Sequence, residues 1–286
     1  MLHTSPDIHP SIRISVEYPS SLSAFFTHRS KPCCSLSSMK RAILCHIEDY
    51  RYVEEYIASI RPPDMELVIY SSPPSLDPTT YYMCMRRIPD GSGLKAFINT
   101  EQLTVPQKVE EYKAILAQHC PIDVYDYALK NCEISSSFLG QPSSYLPYYS
   151  PPAEQAQLRQ WLSVPKETDV CVLGTPSVKR QRYVDTLRES GITVDYVYSL
   201  FGEERDRQIG KSRILVNIHY SEEYVLYESI RCERWRVAGM PVVSEVCLDT
   251  VPVGVEICDV STVVEVVRKT LASASASAST DSLASS

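Results

Sequence analysis

Residues 169–198 read DVCVLGTPSVKRQRYVDTLRESGITVDYVY. Residues 169–173 form a short apolar run, the pattern of a buried strand. GTPS at 174–177 turns the chain, and 178–190 repeats apolar residues at helical spacing. Gly191 supplies the C-terminal stop. Residues 193–198 then alternate as a second strand. Downstream the pattern repeats. A short charged helix is predicted at 202–211, a buried strand at 213–218 (RILVNI), a long helix at 222–238 before Gly239, a strand at 240–244 and a helix at 259–271. Strands alternating with helices imply an α/β fold with a parallel sheet and helices on both faces. In such sheets ligands bind beyond the carboxyl ends of the strands.

Upstream the pattern is weaker but of the same kind. Strands are predicted at 41–47, 66–70, 96–99 and 122–125, with helices at 49–60 and 106–118. A Pro/Ser loop is read at 71–80. A proline- and tyrosine-rich connection, SSYLPYYSPPAEQ, separates the halves, with the boundary placed near 148–160. The expected organisation is therefore a 1–40 tail, a short first α/β domain at 41–150, a Rossmann-like domain at 160–271 and a 272–286 tail. Residues 1–40 hold ten serines, four prolines and only two acids. That composition suits a disordered tail or an organelle-import segment, with Met39 as an alternative start. Residues 272–286, ASASASASTDSLASS, offer no apolar face, and disorder is expected there.

The chain has 286 residues, 44% of them hydrophobic and 22% charged, an ordinary globular balance. The formal net charge of −7 argues against a nucleic-acid footprint, which requires a basic face. No run of about 18 apolar residues predicts a membrane span. The ten cysteines lie mostly inside apolar runs and lack C-x-x-C spacing. They read as small buried hydrophobes in a reducing, cytoplasmic setting rather than as a disulfide framework. Neither a P-loop nor a G-x-G-x-x-G fingerprint occurs, which opposes a dinucleotide-dependent dehydrogenase.

Candidate chemistry sits just past the predicted strand ends. Gly174, Thr175 and Ser177 lead into a helix N-terminus, where free N–H groups and the helix dipole favour a phosphate. Arg180 stands in its first turn; a plain capping turn is the simpler reading of the same residues. His219 and Tyr220 end the NIHY strand. The helix predicted after them carries Glu223, Tyr224, Glu228 and Arg231. Glu228 and Arg231, spaced i, i+3, form either a surface ion pair or a carboxylate for ribose hydroxyls with a guanidinium for phosphate.

Taken in order, DVCVLGTPSVKRQRYVDTLRESGI, LFGEERDRQIGKSRILVNIHY and YESIRCERWRVAGMPVVSE resemble the nucleotide-sugar-binding half of a GT-B glycosyltransferase. The resemblance covers about 169–245. AFINTEQLT, IDVYDYALKN and YLPYY match the first half more loosely. The resemblance implies two Rossmann-like domains facing across a cleft and a metal-independent transfer from a nucleotide-diphosphate sugar, with no resident cofactor. It places Gly174–Ser177 and Arg180 near the diphosphate. It turns His219, Tyr220, Glu223 and Tyr224 toward the donor, with Glu228 on the ribose and Arg231 bracing it. Two features depart from the pattern. Glu223, Glu228 and Glu233 are spaced by five, without the E-x₇-E of many retaining members, and the first half is short enough to have lost strands.

An inverting transfer needs a base on the acceptor. His46, at the end of the first strand, and Glu101, after the third predicted one, are the candidates. The competing reading is a catalytically silent protein of the same fold that binds a nucleotide or a partner.

Overall fold

A computed structural model of the chain describes residues 40–89, 96–140 and 143–284. The reading of residues 1–39 as a tail or import segment lies outside the described residues. In chain order the elements are β1 (Arg41–His46), α1 (Ile47–Ile60), β2 (Glu66–Tyr70), β3 (Tyr81–Met85), β4 (Ala96–Asn99), α2 (Pro106–His119), β5 (Asp123–Asp126), α3 (Leu129–Leu139), β6 (Ser144–Tyr145) and α4 (Pro152–Leu162). Then follow β7 (Thr168–Leu173), α5 (Val178–Glu189), β8 (Val194–Val197), α6 (Gly202–Gly210), β9 (Ser212–Asn217), α7 (Ser229–Ala238), β10 (Val242–Glu245), β11 (Val255–Cys258) and α8 (Val263–Ala284).

Two sheets result. The first runs β2-β1-β3-β4-β5-β6 and the second β11-β10-β9-β7-β8. Every pairing in both is parallel. Each sheet is apolar on both faces, which is why its strands read as continuous hydrophobic runs. Ile43 and Cys45 of β1 pack with Val53, Tyr56 and Ile57 of α1. Their neighbours Ala42 and Leu44 face Tyr112 and Leu116 of α2. In the second sheet Val170 and Val172 meet Val184 and Leu187 of α5, while Cys171 meets Leu158 of α4 and Trp235 of α7. All eight described cysteines are free. Among the described residues no helix is long and apolar enough to cross a membrane.

Five expectations need correction. The short first half is not the poorer in strands: its sheet has six to the second sheet's five. β3, at YYMCM, is a central strand between β1 and β4 where no strand was expected; it begins directly after the Pro/Ser loop at 71–80. The connection at 148–160 contains α4, whose prolines at 151 and 152 sit at the N-cap and first turn, where no N–H is needed. The long helix expected over 222–238 begins only at Ser229. Its first half is drawn off by tertiary partners. Gln102 takes both the N–H of Leu226 (2.9 Å) and its carbonyl (3.3 Å). Asp249 accepts the Tyr227 N–H at 2.8 Å, and Leu248 donates to the Val225 carbonyl at 2.7 Å. Backbone groups bonded this way cannot close i→i−4 rings. Finally, α8 continues through Ala284, so residues 272–284 are helical rather than disordered. Alanine is the strongest helix former, and it extends a helix already started by the packed turns at Val263 and Val267.

Asp126 anchors the β4/β5 end of the first sheet. It is fully buried and accepts N–H groups from Asn99 (2.6 Å), Asn131 (2.9 Å) and Ala128 (3.0 Å). The same two asparagines donate to the Glu101 carbonyl. Burial pushes the Asp126 carboxyl up to about 7, against those donors. A carboxyl raised in the folded state stabilises below its unfolded value of about 4. That contribution is lost as pH rises through about 7. Relative to Asp126→Asn, the wild type should therefore lose stability between these limits. Denaturant midpoints of both proteins at pH 5 and pH 8 measure it, and an unchanged difference would show a carboxyl ionised throughout.

Candidate functional site

The carboxyl ends of both sheets open onto one cavity of about 580 Å³. In the second sheet the topology reverses at β7, with β8 on one side and β9, β10 and β11 on the other. The loops after β7 and β9 thus part at the switch point, where doubly wound sheets hold ligands. The first sheet contributes Arg86 after β3, Glu101 and Gln102 after β4, and Tyr127 after β5.

Arg180 is the best-fixed side chain of the site, 3% exposed. Its Nε donates to the Ile218 carbonyl at the end of β9 (2.8 Å), and a terminal nitrogen donates to the Thr175 carbonyl (2.7 Å). It therefore staples the β7–α5 turn to the neighbouring strand end. Gly174 permits this. It sits at φ +121°, and a Cβ there would lie 2.8 Å from the Arg180 guanidinium. Burial, and then the like charge of Arg231, push Arg180 down to about 10. Arg231 lines the same cavity. One of its guanidinium nitrogens is buried with no hydrogen-bond partner, and its pairing with Glu228 is long, at 3.9 Å. Two guanidiniums that repel each other, one with an unpartnered donor, give this end of the cavity a concentrated positive charge.

The remaining expected residues divide. Gly174, Thr175, Tyr220, Tyr224, Glu228 and Glu101 line the cavity with the arginines. Glu228 is the N-cap of α7 rather than a residue of its exposed face, and it accepts from Gln102 Nε2 at 2.6 Å. Glu101 is held by Arg86 at 2.5 Å. Ser177 caps α5 through the Arg180 N–H (3.1 Å) and lies outside the cavity lining. His219 is 1% exposed and is not among the residues lining the cavity. Its backbone N–H goes to Glu245 and its Nε2 lies 3.1 Å from the Val246 carbonyl. Burial lowers its basicity. Glu223 is exposed, and its carbonyl accepts from Thr104. His46 does not reach the cavity either. Its Nδ1 caps α1 by accepting the Glu48 N–H at 3.3 Å, beside Arg87 at 3.4 Å.

Sequence reasoning missed Arg86, Gln102 and Arg234. Arg86 and Ser199 are non-glycine residues at φ +64° and +57°, and both line the cavity. Left-handed backbone of this kind costs about 1–3 kcal/mol and collects at functional sites. Arg234 marks the back of the cavity, where it joins a network of carboxylates. Among the described residues no cluster of three or more His, Cys, Asp or Glu could hold a metal ion.

No protein-family model matches the chain. Three curated proteins of Acanthamoeba polyphaga mimivirus are similar to it. "Uncharacterized protein L138" is 31% identical over 235 residues, covering 73% of this chain and 26% of the viral protein. "Uncharacterized protein L140" is 35% identical over 176 residues, covering 59% of this chain and 56% of its own length. "Uncharacterized protein L137" is 35% identical over 154 residues, covering 53% and 20%. The chain thus spans between a fifth and somewhat over half of the length of these relatives, and its architecture is that of two parallel α/β sheets flanked by helices.

Proposed function

We propose that the cavity binds a nucleotide-diphosphate sugar and that the chain transfers the sugar to an acceptor, as a GT-B-like glycosyltransferase. The observation that carries this reading is the Arg180–Arg231 pair at the second sheet's switch point, with its orphaned guanidinium N–H. Paired guanidiniums match phosphate oxygens in geometry and charge. They also stabilise the charge that develops on a departing diphosphate. The volume of about 580 Å³ lies in the range of small-molecule sites. Glu228 would accept ribose hydroxyls, and Tyr220 and Tyr224 would flank the sugar. Glu101 is the acceptor-side base in this reading.

A second reading is a silent nucleotide binder. It is favoured by the Arg86–Glu101 ion pair at 2.5 Å, which engages the one remaining candidate base. A thermal-shift screen against nucleoside diphosphates and their sugars tests binding. Release of nucleoside diphosphate from a shifted sugar donor separates enzyme from binder. At 100-fold above Kd the stabilisation should be about 2.7 kcal/mol. No shift at millimolar nucleotide would retire both readings. Glu228→Gln sharpens the test. It keeps shape but loses a charge-assisted bond worth about 1.5–3 kcal/mol, so nucleotide affinity should fall roughly tenfold or more, with stability changed by less than about 1 kcal/mol. Calorimetric titration giving equal affinities would remove Glu228 from the donor site.

A further inference from the structure

Behind Tyr127 lies a second, smaller cleft of about 110 Å³. Tyr127 lines both spaces, and adjacent residues of the α7 N-terminus divide between them: Glu228 faces the large cavity, Ser229 the small cleft. The cleft walls are Tyr145, Pro147, Tyr148, Tyr227 and Pro252, with Asp249 and Glu233 among them. The tyrosines at 148 and 227 have their hydroxyls engaged, on Glu154 and Glu233 respectively. What they offer a ligand is ring surface.

The two carboxylates are not equivalent. Glu233 is neutralised by Arg236, which reaches both its oxygens at 2.8–3.1 Å. Asp249 accepts the backbone N–H of Tyr227 at 2.8 Å and its own backbone N–H. No lysine or arginine of the described residues comes within ion-pair distance of it. Burial, and more weakly the charge of Glu228, raise its carboxyl above the usual range, the response of an acid lacking its counter-ion. The Ser229 hydroxyl, on the same wall, is buried without a partner.

A carboxylate without an ion-pair partner and tyrosine rings lining one small cleft are the groups that recognise an organic cation. We propose that this cleft is a binding site for a small organic ammonium ion, its N–H groups on Asp249 and its carbon skeleton against Tyr145, Tyr148 and Tyr227. The site is separate from the nucleotide reading of the large cavity and stands or falls without it.

The test uses the full chain and two ring compounds of one shape, cyclohexylammonium and cyclohexanol, titrated by ligand-observed NMR at low ionic strength. Cyclohexylammonium should bind saturably in the millimolar range and cyclohexanol at least tenfold more weakly. Asp249→Asn, which keeps an acceptor for the Tyr227 N–H, should weaken the ammonium at least tenfold and leave the thermal shift with nucleoside diphosphate as in the wild type. Tyr145→Ala removes an exposed ring and should weaken the ammonium about threefold; if Asp249→Asn does not fold, this variant and the two probes decide. Equal affinity for both probes, no binding of the ammonium, or an unchanged affinity in the variants overturns the proposal.

Discussion

Arg231→Ala should weaken nucleoside diphosphate binding by about 10- to 100-fold while leaving the folded protein as stable as before, or slightly more so. The two halves of that expectation come from the same geometry. In the cavity Arg231 repels Arg180 and holds a buried N–H with no protein acceptor among the described residues, and its carboxylate neighbour Glu228 is 3.9 Å away. Removing it relieves a penalty of about 1–3 kcal/mol. With phosphate present the same group makes charge-assisted bonds worth about 1.5–3 kcal/mol, and each 1.4 kcal/mol is a factor of ten in affinity. A residue that costs stability and supplies affinity is the mark of a site shaped for its ligand. Titration calorimetry and denaturant unfolding of the same two proteins measure both signs. A loss of stability with unchanged affinity would identify Arg231 as part of the packing instead.

That pair of arginines was legible in the sequence only in part. Arg180 follows a Gly-containing strand-end turn at a helix start, so pattern alone placed it at the strand-end cavity it lines. Four of the second sheet's five strands were legible for the same reason: parallel strands buried on both faces are continuous apolar runs bounded by Gly174, Gly191 and Gly239, whereas the edge strand β11 at Val255–Cys258, half of it exposed, gave no such run. The helix start at Ser229 was not legible, because the side chain of Gln102, 124 residues away, takes the backbone groups of Leu226. Local periodicity cannot report a partner so distant. His219 shows the opposite failure. A histidine at a strand end looks chemical, yet its strand carries it into the packed layer, 1% exposed. Arg86 was hidden because β3 was hidden, and its left-handed backbone has no sequence signal in a non-glycine residue. The functional residues best seen from sequence were those placed by a local turn, and those missed were placed by contacts between the halves.

The strongest of those contacts predicts the largest change in stability. Arg234 of α7 is 5% exposed and carries no mobile charge: its guanidinium makes a bidentate pair with Asp206 of α6 at 2.7 and 2.8 Å. Its Nε donates to Glu154 of α4 at 2.9 Å, and Glu55 of α1 lies 3.8 Å away. Arg205 closes the circuit, bonding Glu55 at 2.5 Å and Asp206 at 2.8 Å. Two arginines and three carboxylates thus join the first sheet's α1 to three helices on one face of the second, directly behind the cavity. Arg234→Met keeps the bulk but leaves three buried carboxylates with one guanidinium. Breaking a buried pair from one side costs about 3–5 kcal/mol, which for a protein of this size lowers Tm by roughly 10 °C. Adding Asp206→Asn removes one stranded charge and should restore part of the loss, a recovery that simple cavity creation would not show. Calorimetric melting of the single and double variants decides it. A drop of less than about 1 kcal/mol in Arg234→Met would mean that the carboxylates find water or protons instead, and that the halves are held together by Gln102 and the packed loop around Leu226 rather than by charge.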